Sequence, residues 1–156
     1  MASKKKSWQE KLNDSKDLPK VIRLNASQRK KWRGESMAIP SPRDVDSIMK
    51  KVSPGKLITI NRIREKIAKK YEADIGCPIT TGIFSWIAAH AADEAKQYGK
   101  KKTTPYWRTL KQGGIINEKY PGGIDLQAEL LEYEGHEVIQ KGKHWIVKDW
   151  EKRLVR

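Results

Sequence analysis

The chain has 156 residues, of which 33 are Lys or Arg and 19 are Asp or Glu, for a net charge of +14. With 37% hydrophobic residues and a mean hydropathy of −0.78 it can bury one modest core, and no apolar run approaches the roughly 20 residues that span a bilayer. One cysteine, Cys77, excludes an internal disulfide and a cysteine-based zinc site.

The opening MASKKKSWQEKL lacks the apolar core of a secretory signal, and His90, His136 and His144 show no ligand spacing. The expectation is a cytoplasmic monomer with no membrane association, metal or cofactor. The charge is uneven: residues 1–56 hold 15 basic and 6 acidic side chains. A basic arm ahead of a more balanced body suits a polyanion partner, because each neutralised phosphate releases counterions. The competing reading is a lysine-rich surface with no such partner.

In chain order, SWQE at Ser7–Glu10 is a capping-box pattern that predicts a short helix to about Lys16. The residues from Leu18 to Pro42 show no sustained period and contain three prolines, with Arg29, Lys30, Lys31 and Arg33 bunched around Trp32. They read as a basic arm, residues 1–41, that lies along a phosphate backbone or is fastened to the body by Trp8 and Trp32. Regular patterning begins at Pro42. Val45, Ile48, Met49 and Val52 are at helical spacing, and Pro54-Gly55 ends that helix.

Thr59 is suited to cap a second helix that buries Ile60, Ile63, Ile67 and Ala68 and carries Arg62, Arg64, Lys66, Lys69 and Lys70 elsewhere. A third helix is predicted from Thr80 or Thr81 to near Gly99, with Ile83, Phe84, Ile87, Ala88 and Ala91 inward. Helix, turn, helix is a DNA-binding arrangement. After Lys100-Lys101-Lys102 come an extended piece at Tyr106–Leu110 and a helix over IDLQAELLEYE, with Ile124, Leu126, Leu130 and Leu131 buried and Gly135 as its stop. HEVIQKGKHWIVKDW alternates as a β-hairpin turning at Lys141-Gly142-Lys143. The fold class expected is mainly α with a small β-hairpin, a winged helix-turn-helix spanning residues 42–156.

GKLITINRIREKIA, CPITTGIFSWIAAHAA, PYWR and PGGIDLQAELLEYEGH occur in an order and spacing that resembles the C-terminal DNA-binding domain of the methylguanine-DNA methyltransferases and their non-enzymatic alkyltransferase-like relatives. The resemblance covers about residues 42–140, and the preceding arm does not match. It implies a protein that docks a helix in the minor groove and receives a flipped guanine. In the repair enzymes a Pro-Cys-His-Arg motif takes the alkyl group, with a glutamate orienting the histidine.

Here Pro105, Arg108 and Glu134 match that pattern, but Tyr106 stands at the cysteine position and Trp107 at the histidine position. A phenol and an indole cannot supply a thiolate and its proton acceptor, so alkyl transfer is not expected. The implied function is DNA binding without repair, to alkylated duplex or to plain duplex, with a repair-protein partner downstream. The family's intercalating arginine aligns with Gly82 and its phosphate-rotating tyrosine with Ile60. The segment Asp93–Thr104 is longer than its family counterpart.

The candidate site residues follow. Thr80, Thr81, Gly82 and Ser85 are expected on the exposed start of the groove-binding helix, where small side chains permit close approach and a helix N-terminus attracts phosphate. For the threonines, ordinary helix capping is the alternative. Arg62, Arg64, Lys100, Lys101 and Lys102 are expected at phosphates. Ile60, Tyr106, Trp107, Arg108 and Glu134 are expected around the remnant of the base pocket. Tyr106 and Trp107 either line that pocket or fill it as core; Arg108 is expected to hold carbonyls, and Glu134 to bond Arg108 or Trp107. Cys77 beside Pro78 is a relocated alkyl acceptor in the sharpest reading and a small buried residue in the plain one.

Overall fold

In the computed structural model, residues 6–156 are described; the first five residues of the expected arm lie outside the described part. Helix α1, Trp8–Asn13, begins where SWQE placed it, with the Ser7 hydroxyl accepting from the Glu10 amide at 3.1 Å. It ends three residues before Lys16.

The stretch read as irregular is instead built from regular elements. Strand β1 spans Lys20–Arg23, α2 spans Ala26–Trp32 and β2 spans Ser36–Ile39. Asn25 caps α2 in a reciprocal box with Gln28. Strands of four residues are too short to show a period, and what makes them strands is pairing. β1 runs antiparallel to β2, and β2 pairs in parallel with β4, Ile75–Gly76. That partner lies more than thirty residues away.

Helix α3 spans Pro42–Lys50, capped by Ser41 and Asp44, and buries Val45 and Met49. Strand β3, Ile58–Thr59, leads directly into α4, Ile60–Lys70, whose cap is Thr59. Helix α5 spans Pro78–Gln97. It begins two residues before Thr80, because Pro78 at its first position needs no amide partner.

The segment expected to be extended at Tyr106–Leu110 is a 3-10 turn over Tyr106–Arg108 followed by a two-residue strand, β5, Thr109–Leu110, parallel to β3. Helix α6 spans Gly123–Tyr133. Of the four apolar residues expected to be buried there, only Leu131 is fully so; Ile124, Leu126 and Leu130 are half-buried. The hairpin pairs β6, Val138–Lys141, with β7, His144–Val147, around Gly142, whose φ of +62° suits the turn. The architecture is therefore six helices with three small sheets among the described residues, more strand than the single hairpin expected.

Helices α3, α4 and α5 enclose the main core of Val45, Met49, Ile63, Ile67, Ile87, Ala88 and Ala91, each large aliphatic contributing about 1.5–3 kcal/mol by burial. A second cluster joins Leu57, Leu110, Ile116 and Leu131 to Val147 of the hairpin. The hairpin thus packs on the 110–116 segment and α6; the Ile116 amide donates to the Trp145 carbonyl at 2.9 Å. A third cluster of Leu24, Met37 and Cys77 fastens the β1–α2–β2 unit to the start of α5. Among the described residues, no helix is long and apolar enough to cross a membrane.

Candidate nucleic-acid interface

The PYWR motif is shaped by the polar contacts behind it. Arg108 is buried, and its Nε and Nη2 donate to both Glu134 carboxylate oxygens at 2.6–3.0 Å while Nη1 donates to the Val52 carbonyl at 2.6 Å. Trp107 Nε1 donates to Glu134 Oε2 at 3.1 Å, and the Gly55 amide donates to Oε1 at 3.4 Å. Burial alone would raise the Glu134 carboxyl; the bonds from Arg108, Trp107 and Gly55 outweigh it and hold the group below its ordinary range.

This anchor ties the 3-10 turn to the loop after α3 and to the end of α6. Gln127, fully buried on α6, completes the frame by donating to the Trp107 and Thr109 carbonyls and accepting from the Asn117 amide.

In front of the anchor is a cleft of about 800 Å³, within the size range of ligand sites. Tyr106, Trp107 and Arg108 line one side, Leu126 and Leu130 of α6 another, and Ala92, Asp93 and Lys96 of α5 a third. Lys50, Lys101 and Lys102 complete a basic rim opposed by the one carboxylate of Asp93.

The two aromatics differ in placement. Tyr106 is 5% exposed, its ring edge-on to Trp107 and Tyr120 at 5.6 and 5.8 Å, and burial with a smaller contribution from Asp93 pushes its phenol up to about 12. Trp107 is half-buried, its ring under the Arg108 guanidinium at 5.2 Å. Trp107 is thus the ring available to a ligand, and Tyr106 the floor beneath it.

Of the five residues expected around the pocket, Tyr106, Trp107 and Arg108 line the cleft. Glu134 stands behind them, and Ile60 is absent from the lining and packs against the main core. The lysine run is exposed, with Lys101 and Lys102 on this cleft and Lys100 on a smaller neighbouring one.

On α5 the expected surface is corrected. Thr81 and Ser85 are fully buried, Thr80 and Gly82 half-buried, and the residues that face outward are Ile79 and Ile83. The reason is rotational: starting the helix at Pro78 and packing Ala88, Ala91 and Ala92 against α3 turns Thr81 and Ser85 inward, four residues apart on one face. Neither threonine is the cap; Cys77 occupies that position without a side-chain bond. Gly82 does remain open, with nothing within 4 Å of where a Cβ would lie.

The arginines of α4 are partly committed. Arg64 Nε donates to the Gly76 carbonyl at 2.9 Å, and Arg62 pairs with Glu65 at 2.7 Å, half-exposed. Cys77 is buried with Leu24 and Met37 and is not part of the cleft lining.

Sequence reasoning missed Lys50, Asp93, Lys96, Leu126 and Leu130 as lining residues. Helical periodicity marked the leucines as core, and no local pattern ties the others to the motif.

No family model matches the chain, and no curated protein does. Two solved structures are similar. One is S. pombe ATL in complex with DNA, with a TM-score of 0.53 and 19% identity over 74% of this chain and 94% of that one. The other is S. pombe Atl1 in complex with damaged DNA containing O6-carboxymethylguanine, with a TM-score of 0.48, 18% identity and the same coverage. The chain has an alkyltransferase-like fold. At this level of identity the likeness speaks for the fold alone.

Proposed function

We infer that this is a non-enzymatic duplex-DNA-binding protein whose cleft accepts an extruded, O6-alkylated guanine. The observation that carries the reading is the open cleft itself. It lies at the PYWR motif, offers the half-buried Trp107 ring to a base, and has a basic rim that suits flanking phosphates. A tyrosine and a tryptophan stand where the family keeps thiol and imidazole, and the one cysteine is buried elsewhere. Both features argue for recognition without alkyl transfer. The groove-facing surface is α5, with Gly82 open and Ile79 and Ile83 outward. A repair partner acting on the marked lesion belongs to the same proposal.

Fluorescence anisotropy on duplexes with one central O6-methylguanine or guanine tests it. The expected result is about ten-fold or greater preference for the lesion, equivalent to about 1.4 kcal/mol, abolished in Trp107→Ala with plain-duplex affinity kept. Intact mass after incubation with the lesion duplex should be unchanged; a gain of one alkyl group would overturn the non-enzymatic reading.

A second reading, general duplex binding with the base pocket filled, is favoured by one observation: Tyr106 is packed between Trp107 and Tyr120. Equal affinity for lesion and plain duplex would select it.

A further inference from the structure

We propose that the β1–α2–β2 unit is a second phosphate-binding surface, which grips the DNA backbone to one side of the cleft through Arg29, Lys30, Lys31 and Arg33. The proposal rests on the duplex-binding reading and extends its footprint. Lys20 to Arg33 contains six basic residues and no acidic one.

On α2, Gln28 and Trp32 are half-buried, four residues apart on the inner face, whereas Arg29, Lys30 and Lys31, and Arg33 at the C-cap, are exposed. Trp32 packs on the cluster of Leu24, Met37 and Cys77, and Lys31 rests over its ring at 4.8 Å. None of the four is in an ion pair among the described residues. Three carboxylates lie at the unit: Asp74 accepts from the Glu35 and Ser36 amides, Asp17 pairs with Lys20, and Glu35 is exposed, so the four cations outnumber the one carboxylate not already bonded.

Position makes this patch useful. β2 pairs with β4, and the Cys77 amide donates to the Ala38 carbonyl at 2.9 Å. Cys77 is the cap of α5, so one buried cluster separates the basic face of α2 from the first turn of the groove-facing helix. A duplex lying on that turn would bring its flanking phosphates to α2. Double-stranded DNA is the partner such a surface fits, because a row of guanidinium and ammonium groups without acidic partners gains by counterion release along a regular line of phosphates.

The test compares the wild-type chain with the triple variant Arg29→Gln, Lys30→Gln, Lys31→Gln on a 24-mer duplex. Glutamine keeps helix propensity, and circular dichroism verifies the fold. The slope of log K against log salt should become shallower by about 0.9 for each phosphate that is no longer neutralised, roughly two to three in all. Hydroxyl-radical footprinting should lose protection on one flank only, with the lesion-to-plain ratio unchanged.

Wild-type duplex binding with the same slope and footprint in the variant would overturn the second surface and leave the cleft reading standing. A shallower slope with uniform loss of protection would overturn it too, since the effect would then be one of net charge. A wild-type chain that binds no duplex at low salt would overturn both.

Discussion

The Arg108 guanidinium and the Glu134 carboxylate form a two-pronged pair, both side chains about nine-tenths shielded from solvent. In a catalytic member of the resembled family the glutamate would orient a histidine. Here Glu134 is charge partner to Arg108 and acceptor for the Trp107 indole. The pair has become the bracket that holds the 3-10 turn in position, and its loss should be felt in stability first.

Glu134→Gln leaves the buried Arg108 without a counter-charge, and should cost about 3 kcal/mol in chemical denaturation. The pH dependence has a fixed sign. Because the folded-state carboxyl lies below its ordinary value, its contribution is complete above the unfolded carboxylate range and is lost as pH falls through the lowered folded value. The stability gap between wild type and variant should therefore be widest near neutrality and close on acidification.

Tyr106 behaves in the opposite direction. Its phenol stays neutral in the fold up to about 12, whereas an unfolded tyrosine ionises near 10. Stability should fall between those two values, and Tyr106→Phe should flatten part of that fall. Fully buried Tyr120, also raised to about 12, and Tyr71, raised by burial and its bond to Asp44, contribute further to the fall. Tyr106→Ala should cost about 3–5 kcal/mol, and if the pocket is filled it should leave DNA affinity nearly unchanged.

Arg64 is expected to act on the fold more than on DNA. It donates to the Gly76 carbonyl, and a Cβ on Gly76 would lie 2.3 Å from the Arg64 carbonyl oxygen. Arg64→Ala should lower stability by about 1.5–3 kcal/mol with little change in the salt slope. Gly76→Ala should destabilise at least as much, because a backbone contact cannot rotate away. Arg62→Ala, by contrast, should leave thermal unfolding within a degree or two and weaken duplex binding.

Gly82→Arg restores the residue type that the family resemblance places there. The site is open and lies in the second turn of α5, so replacing glycine should add about 0.5–1 kcal/mol of stability. If the cleft takes an extruded base, the same variant should tighten lesion binding and increase 2-aminopurine fluorescence in the bound duplex. A more stable variant with no added fluorescence would count against base extrusion.

The local signals were legible where the physics is local. The caps at Ser7 and Thr59, the apolar faces of α3 and α4, and the turn at Gly142 depend on neighbours within a few residues. The identities of Tyr106 and Trp107 were enough to remove thiol and imidazole chemistry from the motif. Reading the sequence failed where an element depends on a distant partner: β1 and β2 are strands because Ala38 meets Gly76, and α2 lies on a cluster completed by Cys77.

The chain alone determined the helices α1, α3, α4, α5 and α6 and the functional groups that the PYWR motif carries, because backbone periodicity and functional-group identity are carried residue by residue. Tertiary structure decided that Ile79 and Ile83, not Thr81 and Ser85, face outward, that Arg64 serves a carbonyl, and that Trp107 lines a cleft while Tyr106 underlies it. Those outcomes depend on the rotation of each helix against its neighbours, which is set by long-range packing that no local pattern encodes.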